Sequence, residues 1–122
     1  MKFERETRAG VNLFTGYGEG YVLINGERRS RSLIVAPERL IEWEAASFEA
    51  LREEHFAALA ALGPEIVLLG TGPRLRFPHP GLTAPLACAR IGLEVMDLNA
   101  ACRTYNILVS EDRRVTAALL FE

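Results

Sequence analysis

The sequence predicts an α/β domain in which helices cover the faces of a β-sheet. The wholly apolar run from Ile66 to Leu69 is typical of a strand buried on both faces of a sheet, and Leu93 to Met96 is predicted as a second such strand. Segments with helical spacing alternate with these runs, and the order strand, helix, strand, helix, strand is typical of α/β sheets. A length of 122 residues fits one domain, so we expect residues 1–122 to form a single unit.

The amino-terminal part predicts a β-hairpin that extends or flanks this sheet. The runs from Tyr21 to Glu27 and from Arg28 to Val35 are strand-like, and the pair Asn25-Gly26 stands between their apolar parts. Both residues of the pair tolerate the positive φ that a type I′ turn requires. An apolar piece from Val11 to Phe14 predicts a short earlier strand.

Three helices and a last strand complete the predicted order. Apolar residues at helical spacing predict the first helix, and side chains that accept hydrogen bonds from backbone amides predict where helices begin. The expected elements are a helix from Phe48 to Leu62 capped by Ser47, a short helix from Thr83 to Arg90, a helix from Leu98 to Leu108 capped by Asp97, and a strand from Val115 to Phe121.

The composition is that of an ordinary soluble globular protein. Hydrophobic residues make up 49% and charged residues 25%, and the net charge is only −2, which gives no support for nucleic-acid binding. The apolar runs are far shorter than the roughly 20 residues of a membrane span. The charged amino terminus lacks the apolar core of a secretory signal, so we expect a cytoplasmic protein.

The two cysteines and two histidines give no sign of a metal site. Cys88 and Cys102 match neither a Cys-x-x-Cys pair nor a four-ligand zinc set, and His55 and His79 are not close in sequence. We therefore predict free thiols, no bound metal and no cofactor.

Polar and reactive side chains collect where the predicted strands end, and they define a candidate pocket. The glycines of the turn Gly70-Thr71-Gly72 let backbone amides approach an anion, but neither the dinucleotide-binding pattern nor the P-loop pattern follows, so a tight structural turn is favoured. The expected pocket residues are Gly70, Thr71, Gly72, Glu94, Asp97, Cys102, Arg103 and Asn106.

Two of these residues have competing interpretations. Glu94 interrupts an apolar strand, and a buried carboxylate is costly unless it is paired, so we expect an ion pair with Arg103 that orients the last helix. The alternative is a general acid or base with a raised pKa. Cys102 lies beside a cation, as a nucleophile would, but cysteine is often buried as a small apolar residue, and packing is favoured.

The order of the landmarks resembles a small prokaryotic domain family of unassigned activity, whose relatives include mitochondrial complex I assembly factor 3 and the adipogenesis-associated domain protein. The landmarks are Ile24-Asn25-Gly26, Ser32 to Pro37, Trp43, Gly70 to Gly72, Phe77-Pro78, Glu94 to Asp97 and Ala101 to Asn106. The resemblance implies a three-layer α/β domain, with a central mixed β-sheet and helices on both of its faces, and no agreed catalytic residues. It also implies a role through protein contacts, since the mitochondrial relative assembles a respiratory complex.

One departure from the family pattern lies at the start of the last helix. The family usually continues Asp-Thr-Gly or Asp-Thr-Pro, whereas this chain has Asp97-Leu98-Asn99 and therefore no hydroxyl after the aspartate. A mechanism that depends on that hydroxyl is not expected here, although Asn99 offers a local hydrogen-bonding group.

Two functional hypotheses follow. The first is a non-catalytic interaction or assembly-factor-like module, active in the biogenesis of a respiratory complex, which presents the loop with Leu75, Phe77 and Pro78 to a protein partner and is monomeric or a weak homo-oligomer. The second is a small-molecule or anion-binding protein, or an enzyme, that uses the candidate pocket. They differ in whether Glu94, Cys102 and Arg103 open into a concave site or lie in a closed core.

Overall fold

The computed structural model describes residues 10–122, so the charged amino terminus that is predicted to lack a secretory signal lies outside the described residues. In chain order the elements are β1 (Phe14–Gly18), β2 (Tyr21–Ile24), β3 (Glu27–Arg29), β4 (Leu33–Ala36), β5 (Arg39–Glu42), α1 (Glu53–Ala61), β6 (Ile66–Thr71), α2 (Ala84–Cys88), β7 (Gly92–Met96), α3 (Leu98–Ser110) and β8 (Val115–Leu120). None of the described helices is long and apolar enough to span a bilayer.

The central sheet is mixed, as predicted. Among the described residues it has five strands in the order β5-β4-β8-β6-β7. Strand β6 runs parallel to both β7 and β8, whereas β4 runs antiparallel to β8 and to β5. The carboxyl ends of β6, β7 and β8 therefore lie at one edge of the sheet, together with the first residues of β4 and the last residues of β5.

Alternating side chains of the sheet enter two separate apolar clusters. Leu68 and Leu119 face one cluster, and their chain neighbours Leu69 and Leu120 face the other, as the period of a strand requires. The first cluster contains buried residues of α3, β1 and β2, and the second contains buried residues of α1 and α2. The predicted three layers with helices on both faces of the sheet are confirmed.

The predicted hairpin turn is confirmed, but the prediction of a single strand after it is wrong. Asn25 (φ 49°) and Gly26 (φ 86°) form the turn, and β2 pairs with β3 on one side and with β1 on the other. The predicted strand from Arg28 to Val35 is two strands in two sheets. Its polar start stays with β2, whereas its apolar end, Leu33–Ala36, pairs with β5 and β8, where its first three side chains are buried.

The first helix begins later than predicted. The Ser47 hydroxyl accepts a hydrogen bond from the Ala50 amide (3.3 Å), but this contact closes a turn rather than capping α1. The helix begins at Glu53, after a turn that buries Leu51, and the Arg52 amide donates to His55 Nδ1 (2.9 Å).

The predicted start of the last helix agrees with the structure. Asp97 Oδ1 accepts a hydrogen bond from the Ala100 amide (2.9 Å), so Asp97 caps α3. Most other predicted element ends differ from the observed ends by one to four residues; the strand predicted at Val11 to Phe14 begins only at Phe14.

Candidate functional site

Thr71, at the end of β6, is fully buried and is used inside the fold. Its hydroxyl donates a hydrogen bond to the Arg74 carbonyl (2.8 Å) and accepts one from the Arg76 amide (3.1 Å). These two bonds fix the path of the chain as it leaves the sheet. The Thr71 hydroxyl therefore holds the following loop in place and is not directed at a ligand.

The two glycines of the turn make room for other parts of the chain. A Cβ added to Gly70 would lie 3.0 Å from Leu119 Cδ2 and 3.1 Å from Ala101 Cβ, which is closer than side chains normally approach. Gly72 has φ +89°, its added Cβ would lie 3.2 Å from the Glu122 carbonyl carbon, and its own carbonyl accepts the Leu98 amide (2.8 Å). The space beside both glycines is occupied by other parts of the chain, as expected for the tight structural turn that the sequence favoured.

Glu94 is exposed, so the prediction of a buried carboxylate paired with Arg103 is wrong. Among the described strands β7 pairs only with β6, and its Glu94 side chain is exposed to solvent at this border of the sheet. Within residues 10–122 no ion pair or hydrogen bond involves the Glu94 carboxylate. Arg103 instead donates from Nη1 to the Tyr17 hydroxyl (2.7 Å), which links α3 to β1.

Cys102 is fully buried, in agreement with the packing interpretation. Burial raises the pKa of the Cys102 thiol to about 12, and the opposing effect of the neighbouring Arg103 charge is smaller. A thiol with this pKa is protonated at neutral pH and is a poor nucleophile. Both cysteines are free thiols, and Cys88 lies on the surface.

Asn106 and Tyr105 fasten α3 to the amino-terminal strands. The Asn106 side-chain amide donates to the Phe14 carbonyl (2.7 Å), and its oxygen accepts the Phe14 amide (3.0 Å), as a neighbouring strand would. The Tyr105 hydroxyl donates to the Asn12 carbonyl (2.9 Å), and burial raises the pKa of Tyr105 above its ordinary value. Asn106, predicted as a pocket residue, holds two layers of the fold together.

The structure brings several of the predicted pocket residues together, but the largest cavity described below is lined by other residues of the described chain. Asp97 caps α3, Cys102 is buried within α3, and Gly70 packs against the first turns of the same helix. Glu94 points into solvent and Arg103 is turned toward Tyr17. Within residues 10–122 no group of three or more His, Cys, Asp and Glu side chains is placed to hold a metal ion.

The loop after β6 exposes apolar side chains from a fixed backbone. Leu75 is 49% exposed and Phe77 is 70% exposed, whereas Pro78 is half-buried. Between the first two, Arg76 bonds through Nη1 to Glu49 Oε2 (2.7 Å) and through Nη2 to the Glu122 carbonyl (2.9 Å). The guanidinium also lies 4.5 Å from the centre of the Phe48 ring. The surface formed by Leu75, Phe77 and Pro78 is called the apolar loop below.

An open cleft that the sequence did not reveal lies at the same edge of the sheet, beyond the ends of β8, β4 and β5. Its volume is about 630 Å³. Trp43 in its wall is only 6% exposed, and the indole Nε1 is buried with no hydrogen-bond acceptor within the described residues. Such a donor costs roughly 1–3 kcal/mol when left unpaired. The cleft is lined by Gly20, Ser30, Arg31, Ser32, Glu42, Trp43, Glu44, Ala46, Phe121 and Glu122.

These features define a small three-layer α/β domain with a closed strand-to-helix junction, an exposed apolar loop and an open cleft. The chain belongs to the family described as "Protein of unknown function (DUF498/DUF598)", which matches residues 14–120.

Relatives with informative names cover nearly all of the chain. It is 31% identical to the NADH dehydrogenase [ubiquinone] 1 alpha subcomplex assembly factor 3 of Xenopus tropicalis over 98% of its own length and 65% of that relative. It is 26% identical to the 13 kDa major membrane protein of Francisella tularensis, over 98% of this chain and 99% of that one. The crystal structure of a Bordetella parapertussis protein matches with a TM-score of 0.88 at 37% identity, over 95% of this chain and 100% of that chain.

Proposed function

We propose that this domain is a non-catalytic interaction module that acts in the assembly of a respiratory NADH dehydrogenase complex. Its similarity to a protein named as an assembly factor of that enzyme supports the proposal. The chain spans about two thirds of that relative's length, so the partner is part of the proposal. We place the partner among the subunits or assembly intermediates of the NADH dehydrogenase.

The observation that carries the proposal is the exposure of Phe77, at 70%, on a loop whose backbone is held by Thr71 and Arg76. A large aromatic side chain in water gains free energy when a partner covers it, and aromatic anchors often dominate binding energies. Because the loop is already ordered, binding costs little conformational entropy. A rigid loop with an outward aromatic side chain is suited to protein recognition.

The closed junction further supports an interaction role over catalysis. The reactive candidates from the sequence are engaged in internal contacts, since Cys102 is buried and the Thr71 hydroxyl binds the loop backbone. An enzyme needs a nucleophile or an acid and base that can reach substrate. Neither requirement is met by these residues.

The proposal is tested by replacing Phe77 in the full chain and measuring which proteins co-purify with it. Phe77→Ser should abolish the capture of NADH dehydrogenase subunits by the tagged protein, since losing a central anchor costs about 2 kcal/mol or more. The matched control is Ile107→Ser, because Ile107 is also exposed, at 57%, but lies on α3. Thermal melting of both variants establishes that they fold.

Two results would contradict the proposal. One is a wild-type protein that captures no NADH dehydrogenase subunit from its own cells, and the other is equal capture by the wild type and Phe77→Ser. The proposed cytoplasmic location and the monomeric or weakly self-associating state are checked by cell fractionation and sedimentation. Recovery in the membrane fraction after a salt wash, or a stable oligomer at micromolar concentration, would overturn those two points.

A further inference from the structure

The cleft continues into a smaller pocket with a different lining. The main cleft has a volume of about 630 Å³ and the side pocket about 170 Å³. The two share Ser30, Arg31, Ser32 and Glu42 in their walls, so they are adjoining parts of one depression. The main volume lies within the range of about 300–1,000 Å³ that is common for small-molecule sites. Phe121 gives the main cleft an apolar wall beside its polar groups.

Opposite charges are separated along this depression. The carboxylates of Glu44 and Glu122 belong to the main cleft alone, while Arg28 and Arg29 belong to the side pocket alone. Arg31 and Glu42 lie where the two parts join. A ligand that fits both parts therefore carries an anionic group at the side pocket and hydrogen-bond donors in the main cleft.

Two of the three arginines of the side pocket contact other side chains of the protein. The Arg28 guanidinium lies 4.0 Å from the centre of the Tyr21 ring, and Arg29 Nη2 lies 3.3 Å from Glu27 Oε2. Arginine recognises phosphate through paired N–H donors in a fixed plane, and side chains that are already ordered bind with a lower entropic cost. The side pocket is thus suited to a phosphate group.

We propose that this depression binds a phosphorylated metabolite of about mononucleotide size. The phosphate contacts Arg29 and Arg31, and the hydroxyl or amino groups of the ligand donate to Glu42 and Glu44. Inorganic phosphate alone would occupy only the side pocket, and an uncharged nucleoside would occupy only the main cleft.

The test uses the tryptophan that lies in the cleft. Trp43 is the only tryptophan of the sequence, so its fluorescence reports directly on occupancy. The full chain is titrated with AMP, GMP, CMP, UMP and ribose 5-phosphate, and separately with adenosine and inorganic phosphate. At least one phosphate ester should give a saturable change in fluorescence. Adenosine and inorganic phosphate should bind about tenfold more weakly, because each lacks one half of the contacts.

Two arginine variants separate a specific site from general attraction of anions. Arg31→Gln should weaken binding about tenfold, the loss expected for a charge-assisted hydrogen bond. Arg90→Gln is the matched control, because Arg90 is exposed just before β7 begins, at the opposite edge of the sheet, and it should bind like the wild type. Thermal melting establishes that the variants fold.

Three outcomes would overturn the inference: no saturable response to any of the phosphate esters, equal affinity for adenosine and AMP, or full affinity in Arg31→Gln. Phe77→Ser should retain full binding, because Phe77 does not line the depression. The proposal for the apolar loop and the proposal for the ligand site can therefore be refuted independently.

Discussion

The two halves of one sheet edge differ in how they use polar residues. In the half formed by β6, β7 and α3, called the closed half below, the polar groups of Thr71, Asp97 and Asn106 bind backbone atoms of the same chain. In the half formed by the ends of β8, β4 and β5, the open half, Arg31 and Glu42 face a cleft and Trp43 Nε1 has no acceptor among the described residues. In this sequence, the polar residues of the strand-to-helix junction thus mark where the fold is held together.

The difference follows from how the chain connects the strands. Helix α3 links β7 to β8, which lie on either side of β6, so it must cross the sheet and cover this part of the edge. Strands β4 and β5 are joined instead by a short antiparallel connection, and irregular segments around Ser30 to Ser32 and Trp43 to Ala46 surround them. The cleft lies between these two segments.

The largest expected contrast is in the reactivity of the two thiols. Raising the pKa of Cys102 from 9.0 to about 12 lowers its thiolate fraction roughly a thousandfold at neutral pH, so only Cys88 should react with a thiol-specific disulfide reagent in the folded protein. Cys88→Ser should show no fast reaction until denaturant is added. Rapid modification of Cys102 in folded Cys88→Ser would show that the closed half opens.

The same pKa shift makes the stability of the fold depend on pH. Folding favours the protonated Cys102 thiol, so its contribution is complete below pH 9.0 and is lost as the pH rises toward about 12. The raised pKa of Tyr105 acts in the same direction. Denaturant unfolding should therefore show a loss of stability on the alkaline side of pH 9.0 that is smaller in Cys102→Ala, after its lower starting stability is subtracted.

The next largest effect is on the packing of α3 against β6. Gly70→Val should cost about 3 kcal/mol of unfolding free energy, because even its Cβ would meet Leu119 and Ala101 at 3.0 and 3.1 Å. Gly92→Val on the neighbouring strand is the matched control, since the closest atoms to its added Cβ lie at 3.7 and 3.8 Å. Urea unfolding of the two variants compares the sites, and equal losses would argue against tight closure at Gly70.

Local signals in the sequence predicted much of the fold but not the open half. The Asn25-Gly26 turn and the Asp97 cap each depend on a few adjacent residues, so both could be predicted. The order of the strands depends on pairings between distant residues, such as Leu33 with Leu119. That order puts Arg28 and Leu33 in different sheets and determines where the cleft lies. No local sequence pattern encodes this strand order.

Glu94 shows, within a single strand, that local sequence does not reveal how the strands are ordered. An acid between apolar neighbours predicts burial and pairing only if both faces of its strand are covered, and β7 lies at the border of the described sheet. The apolar loop, in contrast, was accessible to prediction because Pro78 and Pro80 exclude regular structure around Phe77. Its exposure follows from the loop itself rather than from strand order.

The smallest expected effect tests whether Glu94 has any part in the closed half. Glu94→Gln should change the unfolding free energy by less than about 0.5 kcal/mol, as exposed substitutions usually do. Arg103→Gln should cost about 1 kcal/mol, because it removes the 2.7 Å hydrogen bond to the Tyr17 hydroxyl. Since no contact joins Glu94 to Arg103, the double variant should lose only the sum of the two single losses. A coupling energy of about 1 kcal/mol or more between the two sites would restore the ion pair expected from the sequence, and would mean that this border of the sheet closes in solution.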